Sequence, residues 1–420
     1  MTKLKLIISG VITGIIIAVI IAIALVIYIN NSKASSQHIS LNIYGYTYTQ
    51  AELQPLITQF ENSYPNVTVN YTQITGTDPI NYQLNKLANN NSIDIYESSN
   101  TNEDYFLKYS SVNPYFSTSA FKQNFFPLVY RGMTVLNNGV LGIPISMNPI
   151  VIVYKTNVLN STGVQISSIT SSFNSFNNMM NFLTNKYGAS AIDITSSNYN
   201  PIAGDVLQLF IMEEGTPMNV TSSPFEANIS TDAGNNAVNY YSSFLTSGIF
   251  DDLYTSSVKL NYIDALLKNK VLFDFMYYND YIKLQAQYPN DNFDFSIYPA
   301  INTPVDIASY NYFGVNKNSQ ESSMAWKFVD FLGSSSSVNI LNSELNNVLI
   351  PVNKNANVPN NNSDIKTLQN ISSDWNIPGS SYTLNKFNSI VDNLPQSNEL
   401  SNVQNNLNSK MLTTLQGQYP

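Results

Sequence analysis

The stretch LGIPISMNPIVIVYKTNVL, Leu141 to Leu159, sets how the rest of this 420-residue chain is to be arranged. Pro144 and Pro149 remove backbone donors and fix φ on either side of Asn148, and Ile150 to Tyr154 is a run of sheet formers. The segment is therefore extended but interrupted near Asn148. It fits two places: a strand that crosses from one lobe to another, or an ordinary edge strand. Length bears on the choice, because a chain this long is expected to form two compact lobes with separate cores.

Upstream, the order of signals is strand, helix, strand, helix, strand. ISLNIYGY alternates Ile39, Leu41 and Ile43 with polar neighbours, and Gly45 lets the chain turn out of the strand. Thr49 and Glu52 fit a capping box ahead of Leu53, Leu56, Ile57 and Phe60, which recur at helical spacing. Pro55 lies beyond the first turn of that helix and predicts a regular start nearer Gln54. Val67, Val69 and Tyr71 mark a second strand, and a helical Tyr82–Leu87 segment leads to a third, SIDIYES. This alternation predicts an α/β fold class.

Downstream, VLQLFIM and AVNYYSSFL read as helices of a second lobe, 259–268 as a short helix, VLFDFMYY as extended chain and NYFGVNKNS as a further strand and turn. In NSQESSMAWKFVDFLGS, Asn318 and Glu321 fit a capping box, Met324, Ala325, Phe328, Phe331 and Leu332 share one side, and Gly333 stops the helix.

Composition narrows the function. Nineteen Lys and Arg in a chain of net charge -9 are too few and too scattered to neutralise a phosphate backbone, so no nucleic-acid partner is expected. Charged residues are only 11 %, which leaves a surface made largely of Asn, Ser, Thr, Gln and Tyr. Such a surface is hydrated but attracts ionic partners weakly. After Lys3 and Lys5 come 24 uncharged residues, Leu6 to Ile29. As a helix they reach roughly 36 Å, enough for a hydrocarbon core, with the lysines inside and the body outside the cell. A cleaved secretory signal is the competing reading, and either one exports the body. Sequons at Asn30, Asn66, Asn70, Asn90, Asn160, Asn219, Asn228, Asn361 and Asn370 suit an exported surface, although triplets of this kind are frequent in a chain rich in Asn, Ser and Thr.

Four stretches, LNIYGYTYTQAELQPLITQFENSYPNVTVNY, SIDIYES, LGIPISMNPIVIVYKTNVL and AWKFVDFLGS, stand in an order that resembles the extracellular solute-binding proteins of ABC-type sugar importers, in particular their membrane-anchored archaeal type. The resemblance spans residues 41 to 334. It implies a two-lobed fold like that of periplasmic binding proteins, with solute in a cleft between lobes that close over it. It also implies docking on permease subunits served by a separate ATPase. The implied division is an anchor at 1–30, a polar tether at 31–38, a first lobe of 39–148 with about 302–345, and a second of 149–301 with about 346–420. By the same likeness Tyr46 to Thr49 follow the first strand, Glu97 and Ser98 end a neighbouring one, Asn148 lies at a crossing, Phe275 to Asn279 come from the opposite lobe, and Ser309 to Asn311 stand where relatives approach the ligand through a Gly-rich segment.

The chemistry of these residues suits a neutral sugar. Rings of Tyr46, Tyr48, Tyr277 and Tyr278, with Trp375 as a further candidate, offer broad amphipathic contacts, and Thr47, Glu97, Asn148 and Asn279 offer groups for hydroxyls. Core packing is the plainer use of any one tyrosine in a chain with 28 of them. Ser98 and Asn311 complete the candidate set. The single arginine, Arg131, lies in YRGMTVLNNG before the crossing segment, so an amino acid or peptide carboxylate lacks its usual fork of donors, though lysines or helix N-termini remain open to an anion. An enzyme is not expected: the only histidine, His38, stands alone in the tether and cysteine is absent, which removes the usual triads and any His- or Cys-built metal site. A hydrolase using paired carboxylates such as Glu97 and Asp274 is one alternative. A structural or adhesive surface protein, assembling through Gly10 and Gly14, is another. No cofactor is expected, and no phosphate-binding loop for an ATPase of its own is present.

Overall fold

The computed structural model describes residues 38–89, 93–100, 102–115, 118–129, 134–135, 139–187, 192–193, 203–215, 218–219, 226–227, 231–246, 262–373, 388 and 391–392. The apolar segment Leu6–Ile29, residues 31–37 of the tether, Arg131, Trp375 and the sequons at Asn30, Asn90 and Asn228 lie outside these. Among the described residues no helix is long and apolar enough to cross a membrane.

The first unit is the expected strand–helix alternation: β1 (Ile39–Gly45), α1 (Gln50–Ser63), β2 (Val67–Gln73), α2 (Pro79–Ala88) and β3 (Ile95–Ser99). β1 pairs in parallel with both β2 and β3. The inward side of β1 is the one its alternation predicts, with Leu41 and Ile43 fully buried. α1 starts earlier than Pro55 suggests. Thr49 and Glu52 form the full capping box and the helix is regular from Gln50. The bond that Pro55 forfeits would have gone to the carbonyl of Ala51, an exposed residue whose oxygen water can serve.

β4 (Gly142–Lys155) is the crossing strand. Its first half pairs with the long strand that closes the first sheet, and its second half pairs antiparallel with β5 (Phe273–Tyr277) and β6 (Phe293–Ser296). The closing strand, β7 (Asp306–Val315), also pairs with β3, so the path runs β2-β1-β3-β7-β4-β5. Pro149 sits at the seam between the halves, and Pro144 lies within the first. Opposite Pro144, the β7 register slips between Tyr310 and Tyr312, a bulge where the proline cannot donate. Alternation then sends neighbouring residues of one strand into different cores: Ile150, Ile152 and Tyr154 into the second, Val151 and Val153 into the first.

The second core is closed by helices from the 165–250 region, α3 (Phe173–Tyr187), α4 (Ala203–Glu213) and α5 (Asp232–Thr246). The opposite face of the second sheet is covered by α6 (Tyr278–Gln287). After β7, α7 (Ser322–Leu332) and α8 (Ser335–Glu344) return to the first lobe, where Phe328 and Phe331 meet Phe60 of α1. The capping box expected at Asn318 and Glu321 does not form, because Asn318 donates to Asn316 and the Ser319 hydroxyl accepts from the Glu321 N–H instead. Gly333 ends α7 with a right-handed backbone, and glycine is needed there because a Cβ would strike Ile143 of the crossing strand. Beyond α8, Ile350–Pro351 pairs with Met147 and Ser146, and Asn353 bridges Phe125, which attaches this stretch to the first sheet.

Candidate functional site

Parallel strands present their carboxyl ends to a crevice wherever successive connections leave in opposite directions. β1 is that point here, flanked by β2 on one side and β3 on the other. The loop leaving β1 is Tyr46–Thr49, and the carboxylate beside its first two residues is Glu97 of β3. Glu97 Oε2 accepts from the Tyr46 N–H at 2.6 Å and the Thr47 N–H at 3.1 Å, while Oε1 accepts from the Asn311 amide at 3.2 Å. The same amide donates to the Thr47 hydroxyl at 2.5 Å. Burial raises the Glu97 pKa above the usual carboxylate range; the bonds from Thr47, from the Tyr46 and Thr47 backbone and from Asn311 pull it down. Gly45 is what lets the loop come so close, since a Cβ there would stand 2.9 Å from Glu97 Oε2 and 2.7 Å from the Tyr71 hydroxyl.

Three residues outside the candidate set hold this group in place. Gln83, fully buried on α2, donates to the Glu97 carbonyl and accepts from the Glu97 N–H, each at 2.9 Å, as a neighbouring strand would. Tyr71 donates to the Tyr48 carbonyl at 2.6 Å, and the side chain of Ser99 bonds that of Tyr46. Gln83 had a readable signal, a polar residue four before Leu87 on the apolar side of its helix.

The second group gathers where β5 runs into α6. Asn148 of the crossing strand accepts from the Asn279 N–H at 2.8 Å, and so caps a helix whose own N-cap residue, Tyr277, makes no side-chain cap. The Tyr277 hydroxyl donates to Asp205 Oδ2 of α4 at 2.9 Å. Burial drives the Asp205 pKa up to about 7 against the pull of that bond. Asn148 faces Ser309 across the β7–β4 ladder, two residues from Asn311, so the two groups meet at the crossing strands. Replacing Asn148 with alanine is expected to cost about 1 kcal/mol of stability through loss of the cap, read from urea unfolding.

The other candidates point elsewhere. Ser98 lies on the face of β3 opposite Glu97 and is fully buried, its hydroxyl without a partner. The Tyr48 ring is buried near Phe313, bonded to Ser146, and Tyr278 packs against Tyr281 and Phe295 in the core. Asp274 sits on the side of β5 away from Tyr277, in a fully buried position. Among the described residues no cluster of acids or histidines could hold a metal ion.

Residues 46–338 match the family model described as bacterial extracellular solute-binding protein. No curated protein matches the chain. Among solved structures, it is similar to the cyclic alpha-maltosyl-1,6-maltose binding protein from Arthrobacter globiformis, with TM-score 0.74, 13 % identity, and 90 % of this chain and 100 % of that one covered. The sugar-binding protein MalE from Xanthomonas citri gives TM-score 0.70 at 14 % identity over 90 % and 98 %. An ABC substrate-binding protein from Listeria monocytogenes in complex with cycloalternan gives 0.67 at 16 % over 89 % and 99 %. The shared architecture is two α/β lobes with a cleft between them.

Proposed function

The chain belongs to the family of bacterial extracellular solute-binding proteins, whose members bind solutes and do not transform them, and from that premise we propose that it captures a neutral carbohydrate outside the cell and hands it to an ABC-type permease. The observation that carries this reading is the pair of hydroxyl, amide and tyrosine groups that meet at the crossing strands, Tyr46, Thr47, Glu97 and Asn311 on one side and Asn148, Tyr277 and Asn279 on the other. Neither group contains a Lys or Arg, so both suit a solute of hydroxyls rather than one with a carboxylate. The similar structures from Arthrobacter, Xanthomonas and Listeria are named for sugars or hold one, which agrees. Sites on both lobes are satisfied together only when the lobes approach, so solute shifts the population toward a closed form that the permease reads.

In this reading Leu6–Ile29 anchors the body, with Lys3 and Lys5 on the cytoplasmic side. The first lobe takes 39–148 with about 302–345 and the second 149–301 with about 346–420, from which the 350–353 stretch departs by pairing with the first sheet. Asn66, Asn70, Asn160, Asn361 and Asn370 are exposed and available to glycans. Titration calorimetry of the full chain in detergent against mono- and oligosaccharides, amino acids and short peptides tests the reading. Saturable binding of a sugar is expected, and tight binding of a charged solute in its place would overturn it. With a sugar in hand, Tyr277→Ala is expected to weaken binding by about 1 to 3 kcal/mol, and unchanged affinity would remove that ring from the site.

A further inference from the structure

Among the described residues, three acids buried around the second core, Asp205, Glu213 and Asp306, pair with no cation. Asp205 and Glu213 lie eight residues apart on one side of α4, and Asp306 opens β7, which packs against that helix. They are 7, 1 and 4 % exposed. Asp205 accepts from the Tyr277 hydroxyl, and Glu213 accepts from the Ile301 N–H at a long 3.4 Å. Asp306 Oδ2 has no partner, nor does the hydroxyl of Ser372, its register neighbour on a parallel strand, nor that of Tyr298 nearby.

The groups facing these acids are phenols and further acids. β5 brings Tyr277, α6 brings Asp280 with the solvent-exposed Lys283 paired to it, α5 brings Tyr240, and the segment before β7 brings Tyr298; Glu214 adjoins Glu213. Residues 203–213, 232–246, 273–277 and 296–315 contain no Lys, Arg or His at all. Lys366, on the helix that precedes Ser372, is exposed and turned to Asn361. A carboxylate taken out of water with neither a cation nor a set of donors keeps its proton instead. Burial accordingly lifts Asp205 to about 7 and carries Glu213 and Asp306 well above the ordinary range.

We propose that Asp205, Glu213 and Asp306 are protonated in the folded protein, that the chain works in an acidic medium, and that neutral pH loosens the second lobe beside Tyr277 and at the start of β7. The sign follows from linkage. A carboxyl whose folded pKa lies above its unfolded value contributes stability that is whole below about pH 4 and is lost as pH rises toward the folded value. The surface agrees with such a medium: with 11 % charged residues and 19 Lys and Arg, acid cannot build a large repelling charge on it. Neither the sugar nor the permease enters this inference, so it stands or falls apart from the proposed function.

The test is urea unfolding of the full chain in detergent, followed by circular dichroism at about pH 4, 5.5 and 7.5, spanning the ordinary and raised carboxyl ranges. The midpoint is expected to fall toward neutral pH, and the triple variant Asp205→Asn, Glu213→Gln, Asp306→Asn to fall less. A midpoint that rises toward neutral pH, or a triple variant with the wild-type slope, overturns the proposal. Infrared spectra of a Glu97→Gln, Asp330→Asn background, which removes two other carboxyls that burial raises, decide the matter even where the triple variant does not fold. Near pH 5.5, above the unfolded carboxyl range, a carbonyl band of protonated acids is expected in the folded protein and lost in urea; its absence from the folded protein overturns the proposal equally.

Discussion

Glu97→Ala is expected to lower stability by about 4 kcal/mol and to remove solute binding, because four donors lose their acceptor at once and each buried unsatisfied group costs roughly 1 to 3 kcal/mol. The Tyr46 and Thr47 N–H groups, the Thr47 hydroxyl and the Asn311 amide all end on this carboxylate. Part of the loss is offset, since the carboxylate itself is held out of water. Glu97→Gln separates the two effects. Its carbonyl still serves the backbone donors, and the Asn311 amide can turn its oxygen to face the new NH2, so most of the stability should return. Urea midpoints and calorimetry on both variants check this. Equal losses in the two would mean that the negative charge, not the acceptor geometry, holds the Tyr46–Thr49 loop.

Lys155→Met is expected to destabilise the second lobe by about 3 kcal/mol, the lower end for breaking a buried ion pair. Lys155 closes the crossing strand, is 6 % exposed, and donates to the Leu267 carbonyl at 2.8 Å while pairing with Asp291 at 2.8 Å. Its stem and charge also lie over the Phe293 ring. Methionine keeps the volume but leaves the carbonyl unserved. Asp291 is a third exposed and regains water, which limits the cost. Thermal unfolding with and without a bound sugar would show whether that loss reaches the site.

Local chemistry made the frame readable. The alternation of β1, the Thr49–Glu52 box and the prolines flanking Asn148 act over a few residues, so each is written in adjacent letters. Even so, Pro55 misled, because whether its lost bond matters depends on whether water reaches the Ala51 carbonyl. The Asn318–Glu321 pattern misled for a related reason: Ser319 offered a nearer acceptor, and Ser319 itself is held by Asp94.

The sequence alone determined the strand–helix order, the extended and twice-interrupted crossing segment, and the weakly charged surface, since periodicity, proline geometry and composition are properties of neighbouring residues or of sums. Only the tertiary structure decided which groups meet. Glu97 joins Tyr46 from 51 residues away and Asn311 from 214, and Tyr277 reaches Asp205 across 72. It also decided between Ser98 and Ser99, which one step along a strand sends to opposite faces, and it turned Tyr48 and Tyr278 inward. Such pairings depend on how the sheets are brought together, and no spacing within a single stretch carries that information.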